Sequence, residues 1–377
     1  MPRKGKRILE ISLKQRSSIR RRLLHWYDRN KRDLPWRRTN DPYAIWVSEI
    51  MLQQTRVETV LDYYDRFLKR FPTVGALAKA KDQDVLQIWQ GLGYYRRAFH
   101  LRDAARELRC HNGTLPSTAE ELRRLPGVGA YTSAAVASIA FGQPEAAVDG
   151  NVSRVLSRLL GIYVDLASSA GRNEIQHHAQ ILLSPQRPGD FNQAWMDLGS
   201  GICTPKSPQC PNCPLKSQCR AFQDGSVNRS PLPSRGTKRM LPIVNMVVGV
   251  FRQNRRFLVQ RRPPKGLWSG LWEFPNQPGR NGPNGDDPHS LIDRLGLHPG
   301  ETPAYLGRIQ HVLTHRVYRF DIFTCDVIGR TTADEQTPRK WVDLKKLADI
   351  PMSRAQRKIS ELMDPQPTPT QIVSKTA

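Results

Sequence analysis

The tightest constraint on this chain is a cluster of four cysteines within 17 residues: Cys203, Cys210, Cys213 and Cys219. Their spacing is C-x6-C-x2-C-x5-C, and the prolines between them prevent a regular helix. The stretch also has too few apolar side chains to fold by burial alone. In a reducing compartment such a cluster is more typical of a metal site than of two disulfides. Four thiolates suit zinc or an iron–sulfur cluster, and the residue types do not separate the two.

Composition limits the classes to which the chain can belong. Its 377 residues are 38% hydrophobic and 24% charged, enough for two or three domains with real cores. No apolar run approaches the roughly 18–20 residues that cross a bilayer, which excludes an integral membrane protein. The two remaining cysteines, Cys110 and Cys325, are isolated and are expected to be core residues or free thiols.

The charge balance points to a polyanionic partner. The chain has 58 Lys and Arg against 34 Asp and Glu, a net charge of +24. Nucleic acid is the leading candidate, an anionic membrane surface is the second, and simple solubility is the alternative. Residues 1–38 carry much of the excess charge, and this basic segment already contains a helical pattern at Leu23–Tyr27. Because no secretory signal is visible, we expect a cytosolic protein.

The pattern of the chain changes near its middle. From Ser17 to about Arg229 apolar residues recur at helical spacing, and Ser117 with Glu120 predicts a helix start of the capping-box type. A Pro/Ser/Arg-rich stretch follows, and then alternation typical of strands. We therefore predict a helical domain at 1–229, a linker at 230–242, an α+β domain at 243–363 and a disordered tail at 364–377. Strands are predicted at Ile243–Phe251, Phe257–Gln260, Leu306–Leu313, Arg316–Asp326 and Lys340–Val342, and a helix at 353–363.

Two carboxylates are candidates for catalysis. Glu49 is the only acid in the apolar segment Tyr43–Leu52, so burial would raise its pKa and suit it to act as a general acid. The alternative is a carboxylate on a narrow solvent-facing stripe. Asp149 and Asn151 follow a short apolar run, where a turn or a helix N-cap is the ordinary interpretation. Two acids on different elements could nonetheless face one cavity, the arrangement used to cleave glycosidic bonds.

Two glycine-containing segments could contact DNA. Leu125–Tyr131 (LPGVGAY) separates two helices, and its backbone N–H groups could bind a phosphate without reading sequence. A simple corner between helices is the alternative. Gly91–Arg97 (GLGYYRR) combines aromatic rings with two cations, a surface suited to stacking on bases, although ordinary core tyrosines would look the same.

Together these motifs resemble the helix–hairpin–helix DNA glycosylase superfamily. The hairpin at 118–141, Val148–Val152 (VDGNV) and the four-cysteine loop at 203–219 occur in the superfamily's order. The segment from Trp36 to Val57 closely resembles the adenine DNA glycosylases of the MutY family. This resemblance implies a mainly helical glycosylase domain and favours a 4Fe-4S cluster as the cofactor held by the cysteines.

The resemblance also implies a reaction. Such enzymes flip adenine out of duplex DNA opposite 8-oxoguanine, or guanine, and hydrolyse its N-glycosidic bond. Glu49 matches the acid that protonates adenine N7, and Asp149 matches the carboxylate that stabilises the oxocarbenium-like sugar. Tyr131 and Asn151 match residues that support this step. Tyr131 occupies the position where bifunctional relatives carry a Schiff-base lysine, which implies a monofunctional enzyme. We also expect the enzyme to be a monomer.

Further positions match residues that contact DNA or the lesion. They are Trp36 and Arg37 in the adenine pocket, Gln54, Thr55 and Tyr94 around the lesion, and Gly127 and Gly129 in the hairpin.

The C-terminal part resembles the Nudix-like domain that this family uses to recognise 8-oxoguanine. The matching segments are 258–262 and 270–275, but 276–300 lacks the Arg/Glu cluster of a Nudix hydrolase, so no pyrophosphohydrolase activity is expected. The family's Phe-Ser-His recognition loop reads Leu313-Thr314-His315 here. Thr314 keeps the hydroxyl and His315 is retained, whereas the phenyl ring is lost.

Two alternatives stay open. A thymine-mismatch glycosylase of the same superfamily can also carry tyrosine at position 131, although most such relatives lack a C-terminal domain. A non-catalytic iron–sulfur protein that binds DNA is the other, and the presence of both Glu49 and Asp149 argues against it.

Overall fold

The computed structural model describes residues 11–110, 112–231, 240–279, 288–332 and 337–363. The predicted tail at 364–377 and most of the predicted linker lie outside these ranges. The described chain divides into two compact units. One comprises residues 11–79 and 100–231, and the other comprises 80–99 and the residues from 240 onwards.

The first unit is helical, as the sequence predicted. A long basic helix, α1, is followed by helices of 4 to 14 residues. The helices of this unit are α1 Leu13–Asn30, α2 Pro42–Leu52, α3 Val57–Arg70, α4 Val74–Ala78, α7 Ala119–Leu122, α8 Ala130–Phe141, α9 Gly150–Leu160, α10 Ser169–Leu182, α11 Pro188–Asp197 and α12 Arg220–Gln223. Helix α5, Asp82–Trp89, belongs to the second unit, and α6, Arg96–Arg109, begins there.

Small side chains bring α8 close to its neighbours. Ala134, Ala135 and Ala137 on α8 are buried, and this helix packs against α2 and α11. A Cβ atom on Gly189 of α11 would lie 2.7 Å from the carbonyl oxygen of Ser138, so this close approach requires glycine. The result is a tight contact between the helices that carry the candidate catalytic residues.

The predicted helix start at Ser117 is wrong by one residue. The N-cap of α7 is Thr118, whose Oγ1 accepts a hydrogen bond from the backbone N–H of Glu121. The Thr118 hydroxyl also donates to the Glu121 carboxylate at 2.7 Å. Ser117–Glu120 and Thr118–Glu121 have the same spacing, and therefore the pattern alone could not choose between them.

The second unit is α+β, which confirms the predicted fold class. The parallel pair β1 and β7 forms its centre, with Ile243 opposite Val317, and the other strand pairings are antiparallel. The strands are β1 Ile243–Gln253, β2 Arg256–Arg261, β3 Trp272–Glu273, β4 Asn276–Pro278, β5 His298–Pro299, β6 Ala304–Val312, β7 Val317–Ile328 and β8 Arg339–Asp343. All five predicted strands are confirmed in position, and the predicted helix is α14, Arg354–Glu361.

Alternating side chains build an apolar core on each face of this sheet. Val248 and Val250 of β1 pack with Ile359 of α14, whereas Phe251 packs with Leu291 of α13, His289–Arg294. The period-2 pattern of a strand places these two sets on opposite faces. The sheet is therefore covered by one helix on each side.

Residues 80–99 pack with the second unit, which the sequence did not predict. The Gln83 side chain accepts a hydrogen bond from the Trp272 indole at 2.8 Å and donates to the carbonyl oxygen of Gly270 at 2.9 Å. Gln90 accepts hydrogen bonds from the backbone of Met352 and from Arg357. Two glutamines thus fix α5 and the residue that follows it in this unit.

Among the described residues, no helix is both long and apolar enough to span a bilayer.

A buried histidine imposes a cost on the first unit. His178 of α10 is fully buried, and neither of its ring nitrogens has a hydrogen-bond partner within the described ranges. Burial, together with the neighbouring His177, lowers the pKa of His178. Because the unfolded chain then binds a proton more readily, this group destabilises the fold as pH falls below about 6.5.

We predict that His178→Leu stabilises the protein. Removing an unsatisfied buried imidazole should raise the free energy of unfolding by about 1–3 kcal/mol at pH 7.5, and by more at pH 5.5. Urea unfolding at both pH values measures the difference. His177→Leu is the control because His177 is exposed, and an equal effect of both variants would contradict the prediction.

Candidate active site

Glu49 lies on α2, a helix whose side chains are buried around most of its circumference. The residue is only 5% exposed, and its neighbours along the helix include Trp46 and Ile50, both buried. Burial is the largest influence on the carboxyl group and raises the pKa of Glu49 to about 7. The interpretation of Glu49 as a buried acid thus agrees with the structure, and the solvent-facing alternative does not.

Glu49 faces a cavity of about 50 Å³ that is lined by residues of the first unit. Three further residues singled out in the sequence line the same cavity: Trp36, Arg37 and Tyr131. Trp36 is buried and packs edge-to-face on Tyr64 at a centroid distance of 5.3 Å. An enclosed site with an aromatic wall and a protonatable carboxyl group is suited to a flat heterocycle.

Tyr131, in the first turn of α8, is the direct partner of Glu49. Its hydroxyl donates a hydrogen bond to Glu49 Oε2 at 3.1 Å and also lies 3.4 Å from the sulfur of Met196. This hydrogen bond and the charge of Arg37 favour the carboxylate and partly oppose the effect of burial on the pKa of Glu49. Burial and the nearby acids raise the pKa of Tyr131 itself, so its hydroxyl stays protonated.

Asp149 is a helix cap and a neighbour of Glu49 at once. Its Oδ1 accepts a hydrogen bond from the backbone of Val152 at 2.7 Å, which caps α9, and Asn151 donates to Oδ2 at 3.0 Å. Its charge also raises the pKa of both Glu49 and Tyr131. The residue does not line the cavity itself, and its carboxylate lies at the start of α9 beside Asn151.

Sequence reasoning missed a charged cluster beside this cavity. Asp197, at the end of α11, is 5% exposed and accepts hydrogen bonds from both terminal nitrogens of Arg37 at 2.7 and 3.1 Å. Arg32 donates to the same carboxylate at 2.8 Å. In the sequence, the one hint of this cluster was an acidic residue between two apolar ones, Met196 and Leu198. The two arginines that bind it lie about 160 residues away in the chain, so their pairing could not be predicted.

The glycine hairpin has the shape that the sequence predicted. Gly127 has a φ of +76°, and a Cβ atom there would lie 2.6 Å from Cβ of His100, so the position requires glycine. Gly129 is exposed and forms the N-cap of α8, where an added Cβ would meet open space. Free backbone donors and the positive end of α8 therefore meet at an accessible surface.

Gln54 and Thr55 follow directly after α2. Gln54 is exposed and has a φ of +57°, an unusual value for a residue other than glycine. The preceding Gln53 donates to Thr132 of α8 at 3.0 Å, which fixes the end of α2. An outward-pointing residue on a fixed, strained turn is a suitable shape for a wedge.

The remaining predicted contacts lie in the second unit. Tyr94 is 45% exposed with a φ of +47°, and the Arg97 guanidinium lies 5.5 Å from the centre of its ring. Thr314 and His315 are exposed at the tip of the β6–β7 hairpin, which a hydrogen bond from Leu313 N–H to the carbonyl oxygen of Arg316 closes at 2.9 Å. Each loop presents its predicted residues to solvent.

The four cysteines line a second cavity of the first unit, with an empty volume of about 310 Å³. In the described part of the chain, no three His, Cys, Asp or Glu side chains are grouped to hold one metal ion. Thiolates on one zinc ion would lie within about 4.6 Å of each other, twice the Zn–S distance. Burial raises the pKa of Cys210, Cys213 and Cys219, so a bound group would displace their protons.

Two arginines connect this loop to α9. Arg158 is buried and its Nη1 lies 3.4 Å from the sulfur of Cys203. Arg154 donates to the carbonyl oxygens of Cys203 at 2.9 Å and Gly199 at 2.7 Å, and to the Asn151 side chain at 2.9 Å. The cysteine loop and the start of α9 are therefore one hydrogen-bonded assembly.

Comparisons with known proteins agree with this geometry. Residues 47–184 match the HhH-GPD superfamily of base excision DNA repair proteins, and residues 246–362 match the NUDIX domain. Both candidate acids and the glycine hairpin fall within the first match.

Among curated relatives, the adenine DNA glycosylase of Rattus norvegicus is 38% identical, over 91% of this chain and 77% of the relative. The adenine DNA glycosylase of Homo sapiens is 36% identical, over 95% and 76%. The solved structure of a thermostable thymine-DNA glycosylase has a TM-score of 0.50 and 30% identity, and covers 56% of this chain and 98% of that one. This chain belongs to the adenine DNA glycosylase family, hydrolases of N-glycosyl bonds that act in base excision repair.

Proposed function

We propose that this enzyme removes adenine paired with 8-oxoguanine or guanine in double-stranded DNA, and that it is monofunctional. The observation that carries this proposal is the buried Glu49, with its pKa raised to about 7, in a cavity walled by Trp36 and Tyr131. A carboxyl group that is half protonated near neutral pH can donate its proton to a base that becomes the leaving group.

The reaction would divide its two charges between two acids. Glu49 gives its proton to adenine N7 as the bond between sugar C1′ and adenine N9 breaks, and the bonding electron pair leaves with the base. The Asp149 carboxylate stabilises the positive sugar and forms a bond to C1′, which water then replaces to give the abasic site. Asn151 holds the carboxylate in place through its hydrogen bond to Oδ2.

Tyr131 supports the absence of a lyase step. A Schiff base requires an amine nucleophile, which a phenol does not offer. Its hydroxyl is already hydrogen-bonded to Glu49. Tyr131 would therefore orient the acid, and the abasic strand would stay intact until it meets alkali.

DNA binding is proposed for both units. The backbone N–H groups at Gly127 and Gly129 would hold a phosphate, while Gln54 and Thr55 of the first unit would wedge into the base stack. Tyr94 of the second unit is proposed, separately, to stack on a base. Flipping costs a few kcal/mol of stacking, which such contacts offset. Residues 1–229 would act as the glycosylase domain and 243–363 as the domain that recognises 8-oxoguanine.

A 4Fe-4S cluster is the proposed cofactor, held by Cys203, Cys210, Cys213 and Cys219. Four thiols that line one cavity suit a cluster that offers each thiolate its own iron. Once bound, the cluster would order the loop, and Arg158, whose Nη1 lies 3.4 Å from the Cys203 sulfur, would contact one of its ligands. We further propose that the enzyme works as a monomer where the DNA is, in the cytoplasm and at the nucleoid in a bacterial cell.

The first prediction from the proposed function tests the acid. Single-turnover excision from an adenine:8-oxoguanine duplex should be fastest below pH 7 and fall about tenfold per unit above it, because only protonated Glu49 donates. Glu49→Gln should reduce the rate by about 10²–10⁴-fold, with strand cleavage seen only after alkali.

Glu58→Gln is the matched control, since Glu58 is exposed on α3. Activity retained in Glu49→Gln would refute the proposal. Excision from a thymine:guanine duplex alone would instead indicate a thymine-DNA glycosylase.

The second prediction concerns the cofactor. Cys213→Ser should lose bound iron and the visible absorption of the cluster and should lower the melting temperature, because the loop needs its ligands to fold. Cys110→Ser, at an exposed cysteine, should keep about four irons per chain. Metal analysis decides the question, and one zinc ion per chain in the wild type would contradict the cluster.

The third prediction concerns the lesion. Thr314→Ala should reduce the preference for adenine opposite 8-oxoguanine over adenine opposite guanine by about 2- to 10-fold, the contribution of one hydrogen bond. Thr331→Ala, outside the β6–β7 hairpin, is the control. Competition between the two duplexes measures the preference, and an unchanged ratio would exclude Thr314 from recognition.

A further inference from the structure

The proposed reaction does not explain why cationic side chains lie in the cavity that Glu49 faces. Arg32 and Arg37 both line the cavity that Glu49 faces. Arg37 is 10% exposed at its side chain, and its charge favours the anionic form of Glu49. An anion cannot donate a proton, so a cation at this place opposes the proposed role of Glu49.

Asp197 is placed to counter these two cations. Its Oδ2 accepts from Arg37 Nη1 at 2.7 Å and its Oδ1 accepts from Arg37 Nη2 at 3.1 Å, so the guanidinium is held at both terminal nitrogens. The same Oδ1 lies 2.7 Å from Arg32 Nη2. The Asp197 and Arg37 side chains are 4% and 10% exposed, so water screens this pair little, whereas Arg32 is 39% exposed.

The arrangement also fixes where Arg37 points. Arg37 Nη1 donates a second hydrogen bond to the carbonyl oxygen of Arg32 at 3.2 Å, and the guanidinium lies 5.6 Å from the centre of the Tyr27 ring. Asp197 directly follows Met196, whose sulfur lies 3.4 Å from the Tyr131 hydroxyl. The end of α11 therefore contacts two of the residues that act on Glu49, Arg37 and Tyr131.

We propose that Asp197 is a positioning residue that keeps Glu49 in its acid form, by binding Arg37 and Arg32 and balancing their charge. The inference rests on the proposed role of Glu49 as the proton donor. With Asp197 in place, Arg37 can shape the pocket wall while its charge is largely taken up by the carboxylate.

Two other titratable groups act on Glu49, and their effects on its carboxyl group oppose each other. Tyr131 on α8 donates a hydrogen bond that favours the anion, and Asp149 at the start of α9 has the opposite effect. Of the groups that favour the anion, Arg37 is the one that carries a full charge. A substitution of Asp197 alone therefore changes how strongly the Arg37 charge favours the anionic form of Glu49.

The test is the pH profile of single-turnover excision by the full-length enzyme on the adenine:8-oxoguanine duplex. Asp197→Asn leaves the arginine charges unbalanced, so the alkaline limb should move to lower pH by at least about half a unit. Excision at pH 8.5 would then fall about threefold or more, with little change at pH 6. Asp197→Glu, which keeps the charge, should restore the profile.

A second variant covers the case in which Asp197→Asn fails to fold. Arg32→Gln removes one of the two cations and should move the alkaline limb in the opposite direction, to higher pH. Asp190→Asn is the matched control, because Asp190 lies on the same helix and pairs with Arg187 at 2.8 Å. Its profile should not move.

The outcomes separate the two proposals. Asp197→Asn and Arg32→Gln profiles that shift in opposite directions support the inference. A folded Asp197→Asn that loses the same factor at every pH, or an Arg32→Gln profile that stays in place, would overturn it and leave Asp197 a structural residue. If the wild type releases no adenine, or if Glu49→Gln remains active, the proposed function itself fails.

Discussion

The carboxyl group of Glu49 is buried on α2, and there its charged form loses most of its hydration. A helix that is apolar around most of its circumference must be surrounded by other helices, and α8 supplies the closest wall with its row of alanines. Tyr131 begins that same helix and reaches the carboxyl group with one hydrogen bond. The packing of two apolar helices therefore both buries the acid and delivers its partner.

Hydrogen bonds connect the cysteine loop to the candidate active site, although the two are about 50 residues apart in the chain. Arg154 binds the backbone of Cys203 and the side chain of Asn151, which in turn binds Asp149. A continuous set of hydrogen bonds thus runs from a cysteine to the second acid. Ordering the loop would therefore also order the start of α9.

The sequence predicted what depends on local pattern and missed what depends on distant contact. The burial of Glu49 followed from its apolar neighbours, and the strands of the second unit followed from period-2 alternation. The sequence offers two interpretations of Asp149, a helix cap and a catalytic acid. The structure shows the cap of α9, and the charge of Asp149 raises the pKa of Glu49, while its catalytic role stays a proposal. The Asp197 cluster could not be predicted, because its arginines come from the other end of the first unit.

The two candidate acids differ because their surroundings differ. Glu49 is surrounded mostly by apolar side chains, and burial raises its pKa to about 7. Both oxygens of Asp149 accept hydrogen bonds, from the backbone of Val152 and from Asn151, at the start of α9. A neutral acid beside a fixed anion is what the cleavage of a glycosidic bond requires, because the leaving base needs a proton while the sugar left behind needs a negative charge.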